Sequence, residues 1–278
     1  MRKVVPMAAD VKPIKIRSLA SPRWIITTLL VLAAVGVMVR LGFWQLDRLA
    51  QRRAFNAAVE AQINAAPLDL NQAMAGKISP GDLLNMEYRK VTVAGEYDPA
   101  NQVILRNQVN NNQPGYHLIT PFKIQGTAQS VLVDRGFIPF TDKTPADWTQ
   151  YARPGPLTLS GQIRLGHVPQ IFGVADPTLA PGQTRLDAWN YLNVPRIQSQ
   201  TPYALLPVYV QLAPETAATA ADAPIASLDQ PDLTEGPHMS YAIQWFTFAA
   251  ILALGYPYFV RRQLQEKNPP AAGDRNAG

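Results

Sequence analysis

A chain of 278 residues holds one or two domains, and 47% of it is hydrophobic, gathered into two long runs and several short ones. The formal net charge of +5 comes largely from basic clusters beside the two long runs. That is a membrane-topology pattern, and with no basic stripe interleaved with aromatics and no phosphate-binding glycine loop it excludes nucleic acid as the obvious partner. The absence of cysteine excludes disulfides, thiolate metal sites and a Cys nucleophile, and His117, His167 and His238 are too widely separated to match a zinc spacing.

Residues 1–23 carry Arg2, Lys3, Lys12, Lys15, Arg17 and Arg23 against Asp10 alone, a basic tail. Residues 24–46 form the first expected transmembrane helix: Trp24 to Val39 is uncharged, and Leu41 to Leu46 extends the apolar run past Arg40. No small-residue cleavage site follows, so the segment is an uncleaved anchor. Residues 47–66 continue as a helical extension into water, with Leu49, Phe55, Val59 and Ile63 on one stripe and Arg52, Arg53 and Glu60 off it. Pro67 ends it.

Residues 67–213 then change to short β-type runs, among them those beginning at Tyr88, Gln102, Tyr116, Ser130, Leu157, Trp189 and Leu205. Turn-formers such as Asp98-Pro99 and Asn110-Asn111-Asn112 separate them. The expectation is a mainly β extracytoplasmic domain of α+β character, its edges removed by a curled sheet, sandwich or partial barrel. Residues 214–236, rich in Ala, Pro and acids, read as an extended tether, and residues 237–260 as the second transmembrane helix. Pro237 suits its first turn. Residues 261–278 form a tail opening with Arg261 and Arg262. Basic residues outside both spans, and none between Arg196 and Arg261, put both termini in the cytoplasm and the central domain outside. Arg48, Arg52 and Arg53 oppose this but are fewer than the six before Trp24.

No G-x-S-x-G elbow, H-E-x-x-H or S-x-x-K pair is present, so no catalytic residues are assigned and no enzyme is expected. Asp134-Arg135 and Asp142-Lys143 read as surface or turn pairs, His117 as a strand histidine and His167 as one beside a proline turn. The groups at membrane level differ. Arg40 sits roughly 9 Å inside Leu46 by helix rise, a costly depth that points to a partnered or functional site unless the side chain snorkels. Antiparallel spans bring Arg40, Trp44, Gln45 and Arg48 to the level of His238, Tyr241, Gln244 and Trp245. At about 100° per residue, His238, Tyr241, Trp245 and Leu252 share one face of the second helix. An imidazole, cations and flat aromatics at one depth suit a planar amphiphile with carboxylates, such as haem. The same residues also suit an interfacial belt that only fixes depth.

The motifs LGFWQLDR (Leu41 to Arg48), GYHLITPF (Gly115 to Phe122), VLVDRGFIP (Val131 to Pro139) and PHMSYAIQWFTFA (Pro237 to Ala249) appear in this order between the two spans. Together they resemble the surfeit locus family of cytochrome c oxidase assembly factors, over about Val39 to Val260. The resemblance implies a chaperone of respiratory-chain biogenesis that carries haem a to subunit I of a haem-copper oxidase. It implies oxidase subunit I and a haem a synthase as partners beside membrane lipid. His238 matches the family's histidine at the start of the second span, the expected axial ligand of the haem iron, and Trp44, Gln45 and Arg48 match its Trp-Gln-x-x-Arg. Depth and face then assign Tyr241 and Trp245 to packing on the macrocycle, and Arg40 or Arg48 to its propionates. Many members have Asn before the histidine; here Gly236-Pro237 stands there, which bears on hydrogen bonding around the ligand rather than on ligation. The absence of a transit peptide favours a bacterial inner membrane over a mitochondrial one. The alternative is a membrane scaffold that binds oxidase subunits through its β domain without haem; a membrane-anchored hydrolase is disfavoured by the missing motifs.

Overall fold

After Pro22 no proline occurs until Pro67, and helix α1 runs unbroken over Pro22–Asn64. The expected span and its extension are thus one rod. Helix α2 covers His238–Glu266 and begins directly after Pro237. The computed structural model describes residues 21–166, 176–179, 181–214 and 223–266. Both helices are long and apolar enough to cross a membrane, with mean hydropathy of 2.2 and 1.4 over their most apolar stretches. Only 6% of each stretch is buried within the protein, so these are not the core helices of a soluble fold. Two apolar helices flank a β domain: this is the architecture of a two-span membrane protein. The chain divides into a helical unit, Met1–Phe55 with Leu233–Gly278, and a β unit, Asn56–Asp232.

The β unit is built from β1 (Leu68–Asp69), β2 (Lys90–Tyr97), β3 (Val103–Asn110), β4 (Gln113–Ile124), β5 (Gln129–Pro139), β6 (Leu157–Leu165), β7 (Ala188–Trp189) and β8 (Ala204–Leu212). Strands β2, β6, β8, β5 and β4 pair in that order, and β4 returns to β2 through Gly95–Ile124, Glu96–Lys123 and Tyr97–Phe122. The expected partial barrel is therefore a ring of five strands that closes, with β1 added on β2 and with β3 and β7 extending the sheet beyond β4. A side chain at Gly95 would lie 2.0 Å from the Lys123 carbonyl oxygen, so the closing joint requires glycine. Val91, Val93, Phe122, Ile124, Val131, Val133, Leu159, Ile163, Val208 and Val210 fill the interior. Outside, Leu132 is covered by Trp189, Leu192 and Ile197. Both faces of β5 are consequently buried, and its apolar alternation is lost.

One expectation needs correction. Asp134-Arg135 is not a surface pair: the two residues are 4% and 3% exposed. Asp134 pairs across the sheet with Gln211, and Gln211 with Gln162, giving a buried polar row. Arg135 lies 4.6 Å over the Tyr97 ring and donates to the Tyr151 carbonyl. The described part of the tether is bonded to the β strands. Ile225 exchanges two 2.9 Å backbone hydrogen bonds with Phe137, the Asp229 N–H donates to Gln211 Oε1, and the Asp229 carboxylate meets Arg164 at 3.4 Å. Residues 215–222 of the expected tether, and His167, lie outside the described residues.

His117 reaches this polar row, its Nδ1 lying 2.9 Å from Asp134 Oδ2. Burial pulls its pKa down, but the hydrogen bond and charge of Asp134, with Asp229 adding to them, hold it above the ordinary histidine value. The unfolded imidazole titrates near its usual pKa of about 6.5. The stabilisation is therefore complete below that pH and is lost as pH rises through the higher folded value. The detergent-purified protein should melt at lower temperature as pH increases from about 6 to 8, with part of that slope removed in His117→Gln. An identical slope in the variant would contradict this role.

Candidate functional site

Along α1, buried or half-buried positions recur at Trp24, Thr28, Val31, Val35, Met38, Gly42, Gln45, Leu49 and Arg52. Along α2 they recur at His238, Ala242, Trp245, Ala249, Leu252 and Tyr256. Steps of three and four average 3.5 residues, the period of two helices in left-handed knobs-into-holes packing. The cross-contacts run in opposite chain order. Trp24 meets Phe259 with ring centres 6.4 Å apart, Thr28 Oγ1 lies 2.6 Å from the Tyr256 hydroxyl, and Phe43 meets Phe246 edge-on at 5.4 Å. Farther along α1, Gln45 meets His238, and Arg53 forms two hydrogen bonds of 2.7 and 2.9 Å with the Glu235 carboxylate. The helices are antiparallel, as expected.

Small residues set the closeness of the approach. A side chain at Gly42 would lie 2.6 Å from the Phe246 ring, and Ala242 and Ala249 are buried. In lipid, helix contact rests on such packing and on polar bonds, since lipid tails are as apolar as leucine. The polar bond here is His238 Nδ1 to Gln45 Oε1, 2.8 Å, with Gln45 only 8% exposed. Gly236, at φ +67°, turns the chain into α2, and Ser240 Oγ donates to the Pro237 carbonyl in the first turn.

Of the six residues expected at the site, His238 and Trp245 line this seam, and Trp245 meets Phe248 edge-on at 6.3 Å. Tyr241 sits beside it, 47% exposed. Arg48 is exposed and donates to Gln51 Oε1 at 2.9 Å. Arg40 and Trp44 are exposed and line, with Leu41, an open cleft on the outside of α1. At about 100° per residue, Arg40 falls roughly opposite the seam. The structure thus brings His238 and Trp245 to the seam beside Gln45 and leaves Arg40 and Trp44 away from it. Gln45 is the residue that reading by motif left without a role. Its signal was positional: a lone amide in the Met38, Gly42, Gln45, Leu49 spacing.

Residues 32–250 match the model of the SURF1 family. This chain belongs to that family. Among its SURF1-like relatives, an uncharacterized protein of Mycobacterium bovis is 25% identical over 264 residues, covering 92% of this chain and 90% of its own. A SURF1-like protein of Monosiga brevicollis is 27% identical over 237 residues, covering 80% and 83%. Surfeit locus protein 1 of Mus musculus is 25% identical over 237 residues, covering 80% and 72%. The SURF1 match spans the seam from Leu32 to Ala250 and with it both members of the Gln45–His238 pair.

If Gly42 sets the approach, Gly42→Val should destabilise the helix pair by about 1–3 kcal/mol through overpacking. Gly36, where an added methyl would meet nothing within 4 Å, serves as the control. Thermal melts in detergent should show a clear loss for Gly42→Val and little for Gly36→Val; equal losses would refute the close contact.

Proposed function

We propose that this protein binds haem a and assists its insertion into subunit I of a haem-copper cytochrome c oxidase, with His238 as an axial ligand of the iron. The observation that carries the reading is the His238 imidazole, half-buried in the seam and held at one nitrogen by Gln45. Among the described residues no group of three or more His, Asp or Glu could hold a metal ion. A bare ion would find one nitrogen at this place, whereas an iron already held by a macrocycle needs only an axial ligand. The donor set therefore fits haem. When bound, haem would supply the redox-active iron that the oxidase requires as its cargo.

The protein's own side chains would bind and release. Trp245 and the exposed Tyr241 offer flat surfaces beside His238, and Arg48 a cation for a propionate. Arg40 and Trp44, on the far side of α1, stand outside this arrangement. A single imidazole at a lateral, open place suits a carrier that surrenders its cargo, and no bond-making chemistry is asked of the chain. The basic flanks support an orientation with both termini on the inner side of the membrane and the β domain outside; the reading places the protein in a bacterial inner membrane, with that domain periplasmic. Oxidase subunit I and haem a synthase are the partners this role requires. A second reading, a scaffold that holds oxidase subunits without haem, draws on exposed Val109 and Phe140 beside Arg106 and Tyr116 at the β3–β4 tip.

The test is the absorption spectrum of the detergent-purified protein co-expressed with haem a synthesis, beside His238→Ala. A reduced haem a band in the first and none in the second is the expected result. A band of equal strength in both would move the ligand away from His238. No band in either, with oxidase subunits co-purifying, would replace the carrier with the scaffold.

A further inference from the structure

We infer that Gln45 is a positioning residue that fixes His238 in the Nδ1–H tautomer and reserves Nε2 for the ligand. The inference rests on the haem reading only in naming iron as that ligand. An amide oxygen can only accept, so the 2.8 Å contact between Gln45 Oε1 and His238 Nδ1 requires the proton on Nδ1. A neutral imidazole carries one such proton, and the lone pair is then on Nε2. Which nitrogen of a histidine is free for a metal is set by the bond the other nitrogen makes, and metal-binding histidines as a rule donate their second N–H in this way.

Two features keep the arrangement fixed and open. Gln45 is buried in the seam one turn from Gly42 and one from Leu49, and its amide oxygen is held there by the His238 ring. On the other side of the ring, a side chain at Gly236 would lie 3.8 Å from Nε2 and 3.7 Å from Cδ2. Glycine places no side chain against this edge of the ring, and its φ of +67° disfavours most residues that carry one. The choice of an amide over a carboxylate also matters. A glutamate would raise the basicity of the imidazole and strengthen the bond to iron; a neutral amide orients the ring and leaves it a weaker ligand, which suits release.

A merely structural role, polar glue between two helices, would not control the tautomer, and the test turns on that difference. The full-length protein in detergent, with ring-15N histidine, is compared with Gln45→Met and Gln45→Glu at alkaline pH, the His238 signals being assigned by their loss in His238→Ala. Wild type should show Nδ1–H with Nε2 unprotonated, and Gln45→Met should lose that preference while melting near the wild-type temperature. Titrated with ferric protohaem, Gln45→Met should bind about 10–100-fold more weakly, and Gln45→Glu should bind more tightly than wild type. An Nε2–H ring in wild type, or a tautomer and haem affinity unchanged in Gln45→Met, would overturn the inference. The expected tautomers with no haem bound by wild type would uphold the positioning and overturn the proposed function instead.

Discussion

The contact on which the helical unit depends is the approach of α1 to α2 at Gly42, Ala242 and Ala249. Lipid gives two apolar helices no reason to associate by hydrophobicity, so contact has to come from interdigitation at short range. Gly42 supplies it by leaving room for the Phe246 ring. Once the backbones are that close, Gln45 and His238 are within hydrogen-bond distance, and Thr28 and Tyr256 meet nearer the other end of the helices. A bulkier seam would separate these pairs, leaving polar groups unpaired in a poorly solvating medium. Packing and polar pairing are one device here.

The β unit answers a different constraint. A small sheet with open edges invites association, and the pairing of β2 with β4 closes five of its strands on themselves, leaving short β1 and β7 at the margins. In its outer polar row, Asp134 is held by His117 and Gly136, Gln211 by Asp229, and the Gln162 amide N–H by the Tyr88 carbonyl. Residues 223–232 cover part of this row through Ile225 and Asp229. The strip is short of large apolar groups, and it is held by backbone and polar bonds.

The helices were legible in the sequence as apolar runs, with Pro22, Pro67 and Pro237 near three of their ends. The fourth end was not, since α2 carries Pro257 within it and continues past Arg261 and Arg262 to Glu266. The β strands were legible as turn-separated runs, but ring closure was not, since β2–β4 pairing is distant in sequence and β5 loses its alternation between two apolar layers. Asp134 looked like a surface residue because part of its cover arrives some ninety positions later, around Ile225. The site was half legible. His238 stood out as an imidazole at the mouth of a span. Its neighbours were misjudged because apolarity does not distinguish a lipid-facing side from a helix-facing one; small residues do. Ala242 and Ala249, rather than Tyr241, mark the seam, and Arg40 and Trp44 turn away from it.

The seam can be tested directly because the chain has no cysteine of its own. Val35→Cys combined with Ala249→Cys places thiols between the Thr28–Tyr256 and Gln45–His238 contacts, and a disulfide needs Cα atoms within roughly 4.4–6.8 Å. Val37, exposed on the outside of α1, provides the control. In isolated membranes under a mild oxidant, the 35–249 pair should cross-link rapidly within one chain and the 37–249 pair should not. Equal cross-linking of both, or preference for the 37–249 pair, would contradict the register that brings Gln45 to His238.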